Sequence, residues 1–191
     1  MNKNISLELL KEAEILNPGN WIKHSIVTGE CAKKIAESCG LDEAKAYRLG
    51  LLHDIGRRFG ISDMRHIYLG YKYMIDIGYE DVARICLTHS FPYKDINAYT
   101  GTNDCSEEET LFIDNFIQKI DYDEYDKLIQ LCDALAFYTG PTFIEKRLVD
   151  VTIRRGFNEL TIYKWQAYLS LKKYFDTKIN GDIYQLLNVK P

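Results

Sequence analysis

A chain of 191 residues with a net charge of −4 lacks the basic face that gripping a phosphate backbone requires, which argues against nucleic-acid binding as its main task. Its hydrophobic fraction of 46% and charged fraction of 27% are those of a globular chain long enough to bury a core without a staple. Five cysteines, an odd number with no CxxC pair, argue against a secreted disulfide framework and for reduced thiols.

The start, MNKNISLELLKEAEIL, lacks the basic-then-apolar pattern of a signal peptide, and no stretch approaches the roughly 18 apolar residues of a membrane span. The expected location is the cytoplasm, with no membrane partner. Leu7, Leu9, Leu10, Ala13 and Leu16 predict a first helix, closed by Asn17-Pro18-Gly19. A second runs from Trp21 to about Ser38. Asp42 is placed to cap a third, which carries Leu49, Leu51 and Leu52 into His53-Asp54-Ile55-Gly56 and stops by Gly60. Ser62 is expected to cap a helix to about Asp76, and Glu80 to begin another that reaches Thr88 or His89. Phe91 to Ser106 has turn residues and little periodicity, so it is a long loop, either a cover for a site or a passive crossover. Ser106 with Glu109 forms a capping-box pattern. Asp123 to about Tyr138 is a strongly apolar helix closed by Gly140-Pro141, and Phe143 to Arg155 and Asn158 to about Thr177 are two more. The fold class is all-α, one domain over residues 1–191. Its C-terminal helices, within 143–180, either pack on the core or form a dimer face, so monomer and homodimer both stay open.

Two aspartates sit where a carboxylate should be expensive. Asp133 interrupts the apolar run Leu128 to Ala136, and Asp54 ends the run Leu49 to His53. An Asp is seldom fully buried unless it is paired or coordinates a cation. A metal would compensate both and keep them ionised. The four histidines, His24, His53, His66 and His89, all fall in the first half, each near a helix end. Imidazoles and carboxylates together suit divalent ions, and a mixed shell with open positions is the catalytic kind.

His24, then His53-Asp54, then Asp133 resembles the H…HD…D signature of the HD-domain metal-dependent phosphohydrolases, and Gly50-Leu51-Leu52-His53-Asp54-Ile55-Gly56 is very similar to that family's second motif. The resemblance covers roughly Trp21 to Tyr138 and implies a compact helical bundle. It implies that His24, His53, Asp54 and Asp133 hold a first metal, with Asp54 bridging to a second held by His66 and His89. One or two divalent ions are expected, from Fe, Mn, Co, Ni, Zn or Mg. The implied substrate is a small phosphorylated molecule, in the first place a nucleotide, cleaved at a phosphate ester or anhydride by a metal-activated water. Asp54 and Arg57 are the expected catalytic residues. The family often has Lys where Arg57 stands, and Arg57, with Arg58 and Lys94, is the candidate contact to substrate phosphate. Dinucleoside polyphosphates, mononucleotides, cyclic dinucleotides and (p)ppGpp are all compatible with the pattern. Two other readings differ in class: an HD-type oxygenase with a di-iron site, and a metal- and nucleotide-binding regulatory module with little catalysis.

Overall fold

The computed structural model describes residues 3–190; residues 1, 2 and 191, which the expected domain includes, lie outside the described residues. The described residues form ten α-helices, two 3-10 turns and one hairpin of two-residue strands. They are α1 (Lys3–Leu16), α2 (Asn20–Ser38), α3 (Glu43–Leu52), a 3-10 turn (Ile55–Phe59), α4 (Arg65–Asp76), α5 (Glu80–Thr88), a 3-10 turn (Ile96–Ala98), α6 (Glu107–Lys119) and α7 (Glu124–Ala134). Then come β1 (Ala136–Phe137), β2 (Gly140–Pro141), α8 (Ile144–Arg155), α9 (Thr161–Lys178) and α10 (Ile183–Leu186). The all-α expectation is met.

The centre is α2 against α3. Ile22, Cys31, Ala32, Ile35 and Ala36 of α2 are buried against Leu49, Leu51 and Leu52 of α3. The two backbones touch at Gly29 and Gly50. A Cβ on Gly50 would stand 2.9 Å from the Gly29 Cα, so a side chain at either position would push the helices apart. The histidines that flank this contact, His24 and His53, are thereby held side by side. Helix α7 packs on both, and α9 packs on α7. Leu148, Tyr168, Phe175, Ile183 and Leu187, all beyond the hairpin, belong to the same core cluster as α1, α2 and α3. A smaller cluster of Met64, Ile67, Leu87, Phe91, Ile113 and Ile117 supports the long loop and α6.

Local capping follows the sequence at three helices. Asp42 accepts from Lys45 N at 2.9 Å, and Ser106 and Glu109 form the expected box. Asp123 and Asp126 form a second box at the start of α7. Helix α4 differs: it begins at Arg65, and Ser62 makes no cap. Its cap comes from the long loop instead, where the Asp104 carboxylate accepts from Asp63 N and Arg65 N, both at 2.7 Å. A partner so far along the chain leaves no local signal. Helix α7 also differs, stopping at Ala134 rather than near Tyr138. Pro141 has no N–H to continue the ladder, and Gly140 adopts φ +138°, so the chain reverses into the β1–β2 hairpin. Leaving the helix frees the Ala136 carbonyl for another donor.

Candidate metal centre and its pocket

His24 lies in the second turn of α2, His53 and Asp54 follow α3, His66 opens α4, His89 follows α5, and Asp133 closes α7. Five elements therefore converge on one place. Two groups of ligand atoms arise there: His24, His53 and Asp133, and His53, Asp54 and His89, each within 4.8 Å of one another. His66 joins through Asp54, its Nε2 lying 2.9 Å from Asp54 Oδ1, and His89 Nε2 lies 3.6 Å from the same oxygen. His53, expected beside one cation only, sits within reach of both groups.

The backbone determines how these rings present themselves. His24 Nδ1 donates to the Ala136 carbonyl at 3.1 Å, and His53 Nδ1 to Gly50 at 2.7 Å. His66 Nδ1 donates to the Asp63 carbonyl, and His89 Nδ1 is shared between Ile85 and Cys86 at 3.1 and 3.0 Å. A carbonyl can only accept, so each Nδ1 carries the proton. In a neutral imidazole the Nε2 is then a bare lone pair. Burial pushes His53 below its ordinary value, although Asp54 and Asp133 oppose the shift. Burial and the neighbouring His53 push His89 down to about 3. Both rings are therefore neutral at physiological pH.

The carboxylates go the other way. Burial opposes ionisation of Asp54, whose side chain is 6% exposed, but the Arg57 guanidinium outweighs it and holds the carboxyl well below the usual range. Asp133 Oδ1 lies 2.9 Å from His24 Nε2. Lone pairs and negative oxygens thus face one another, and His24 Nε2 and His53 Nε2 are only 3.3 Å apart. That is the donor set of a divalent cation, with the outer ring nitrogens already oriented by the backbone.

Gly56 makes the approach of His66 possible. A Cβ there would fall 2.0 Å from the His66 carbonyl and 2.4 Å from Gly70 N, so the 3-10 turn can lie on α4 only with glycine at this position. The turn also places Arg57. Its Nε donates to Asp54 Oδ2 at 2.7 Å, and its own carbonyl accepts from Asn17 Nδ2 at 2.6 Å.

The cluster borders a cavity of about 570 Å³, which Arg57 also lines. Arg58 and Lys94, both expected to contact substrate, do not line it. With about three residues per turn, successive side chains diverge. Arg58 points to the other side of the turn, 4.1 Å from the Tyr73 ring centroid and 3.7 Å from Glu12. Lys94 donates to the Ile120 carbonyl at the C-terminal end of α6, a favourable place for a cation. The long loop does reach the site, through Tyr99 and Thr100.

Sequence reasoning missed the remaining wall, which comes from α8 and α9: Arg147, Arg154, Arg155, Lys164, Trp165 and Tyr168. One signal was available. Thr161, Lys164, Tyr168 and Phe175 recur at helical spacing and are the buried residues of α9, which puts a lysine on a core-facing stripe. Burial pushes the Lys164 ammonium down to about 8, with only the Asp133 charge opposing.

A helical bundle that gathers four imidazoles and two carboxylates beside a cavity has the makeup of a metal-dependent hydrolase. A model of the HD domain matches residues 21–138, and the chain belongs to that family, part of a superfamily of metal-dependent phosphohydrolases. The match begins within α2 and ends at the hairpin, so α1 and α8 to α10 lie outside it. No curated protein and no solved structure matches the chain. No helix among the described residues is long and apolar enough to cross a membrane.

Proposed function

We propose that this protein hydrolyses a phosphate ester or anhydride of a nucleotide, using two divalent cations held by His24, His53, Asp54, His66, His89 and Asp133. The observation that carries the proposal is the convergence of Nε2 lone pairs, their Nδ1 protons committed to backbone carbonyls, on two ionised aspartates. Divalent ions bound there would neutralise phosphoryl oxygens and supply an acidified water for attack on phosphorus. Asp54, facing His66, His89 and Arg57, is the residue best placed to serve both ions. Arg57 keeps part of its guanidinium for the cavity while Asp54 fixes its position, and a planar fork suits phosphoryl oxygens. The backbone acceptors of the four Nδ1 protons keep the histidines as ligands rather than proton carriers. The cavity volume is that of a pocket for a whole small molecule, which favours a nucleotide over phosphate alone. The unpaired cysteines fit a reducing compartment such as the cytoplasm.

The test is to measure metal content in the purified protein and to assay nucleotides and phosphomonoesters with added Mn²⁺, Co²⁺, Ni²⁺, Zn²⁺, Fe²⁺ and Mg²⁺. Metal-dependent turnover that disappears in His53→Ala is expected. No turnover under any of these ions, in wild type and variant alike, would overturn the reading.

A further inference from the structure

Five cationic side chains besides the histidines line the cavity: Arg57, Arg147, Arg154, Arg155 and Lys164. Four have a carboxylate partner. Arg57 bonds Asp54 at 2.7 Å, Arg147 and Arg154 lie 3.7 and 2.7 Å from Asp150, and Arg155 lies 2.9 Å from Asp63. Lys164 is the exception. It is 8% exposed, and among the described residues no carboxylate lies within salt-bridge distance of it, Asp133 acting only from further off. Its Nζ meets only the Thr100 hydroxyl, at 3.3 Å, and stands 5.8 Å from the Tyr99 ring centroid. An ammonium buried without a contacting counter-charge destabilises the fold, and lysine is seldom fully buried unless paired. Its place on the core face of α9, between Thr161 and Tyr168, fixes it at the cavity wall rather than letting it extend to bulk water.

We infer that Lys164 is the anion-binding residue of the substrate site, taking phosphate oxygens of the bound substrate from a helix outside the HD segment. The counter-charge that the protein omits is then brought by the substrate, and binding it relieves the burial of an unpaired cation. Thr100, from the long loop, holds the ammonium in place in the meantime. The inference rests on the phosphohydrolase reading for its substrate class, but the anion site itself does not require turnover.

The experiment uses the full chain loaded with Mn²⁺ and compares wild type with Lys164→Met, Lys164→Arg and Lys164→Gln. Inorganic phosphate binding is followed by calorimetry, and KM and kcat are measured with whichever nucleotide the wild type hydrolyses. Loss of one charge-assisted contact should weaken phosphate binding in K164M and K164Q by about 10- to 100-fold, with most of it kept in K164R. KM should rise by a similar factor while kcat stays within a few-fold. K164M should fold, since it replaces a buried ammonium with an apolar side chain of similar length, and K164Q provides a second folded comparison. Weakened phosphate binding in a protein that turns over no nucleotide would leave the anion site standing and sink the hydrolase reading. Unchanged phosphate affinity in both folded variants, no phosphate binding by wild type at millimolar concentration, or a fall in kcat with KM unchanged would overturn the inference.

Discussion

Helix α7 carries one aspartate near each end, Asp126 and Asp133, and the two ends treat them differently. At the N-terminal end, Asp126 accepts from Arg84 Nε at 2.9 Å, from the Thr88 hydroxyl at 2.7 Å and from Asp123 N at 2.9 Å. Every partner brings a proton. At the C-terminal end, Asp133 faces His24 Nε2 at 2.9 Å and His53 Nε2 at 3.9 Å, atoms whose rings have placed their N–H on a carbonyl. Asp126 is fully buried and Asp133 is 20% exposed at the cavity wall, but only Asp126 is answered by donors built into the fold. On the proposed function, the difference is that between a structural carboxylate and a ligand: burial alone does not mark a site, whereas a carboxylate facing lone pairs fits one.

The comparison breaks most directly by removing each aspartate. If the proposed function holds, Asp133→Ala should lower kcat by at least about 10³-fold and reduce bound metal, because it removes a proposed cation ligand worth several kcal/mol. Asp126→Ala should keep its metal stoichiometry and most of its activity per folded molecule. Its cost falls on stability instead, about 3 kcal/mol by denaturant titration, since Arg84 and Thr88 lose their acceptor in a buried setting. Equal metal loss in both variants would erase the distinction.

The same contrast explains what the sequence could and could not reveal. HDIG announces itself because a polar pair follows an apolar helix over a few consecutive residues, and Asp133 stands out against Leu128 to Ala136 for the same reason. The capping pairs at Asp42 and at Ser106 with Glu109 are equally local. Asp126, by contrast, owes its role to Arg84 and Thr88 on α5, and the start of α4 to Asp104 on the long loop. Such partners are set by packing, and no spacing rule reaches them. Arg58 and Lys94 lie away from the cavity for a related reason: a cation near a motif does not disclose which side of a turn it leaves from. Lys164 could have been noticed as a lysine on an apolar stripe, but that it borders the cavity depends on how α9 docks on α7.

Lys164 extends the comparison to positive charge, being an ammonium that the fold leaves unanswered. Its folded-state value of about 8 lies below the ordinary 10.5, so the unfolded chain holds the proton more tightly. Without substrate, this destabilises the fold fully below pH 8, by at most about 3 kcal/mol, and the effect fades as pH rises from 8 towards 10.5. Metal-free K164M should therefore melt several degrees above wild type at pH 7, with a smaller gap near pH 10. A gap independent of pH would mean that packing, not charge, separates the two proteins.

The last distinction is between backbone contacts that tolerate a methyl group and those that do not. A Cβ on Gly56 would stand only 2.0 Å from His66 O, and the obstacle is backbone, so no rotamer change relieves it. Gly56→Ala must slide the 3-10 turn off α4. The expected cost is about 2 kcal/mol in stability, the usual range for overpacking. His66 moves with that strain, since its carbonyl is the atom struck and its ring is the one bonded to Asp54. The variant should then lose metal from the Asp54 side more readily than from the side of His24 and Asp133, visible as a drop in metal stoichiometry towards one ion per chain. If G56A instead lost both ions together, the two halves of the cage would be one cooperative unit, and His53, common to both groups, would be the residue that joins them.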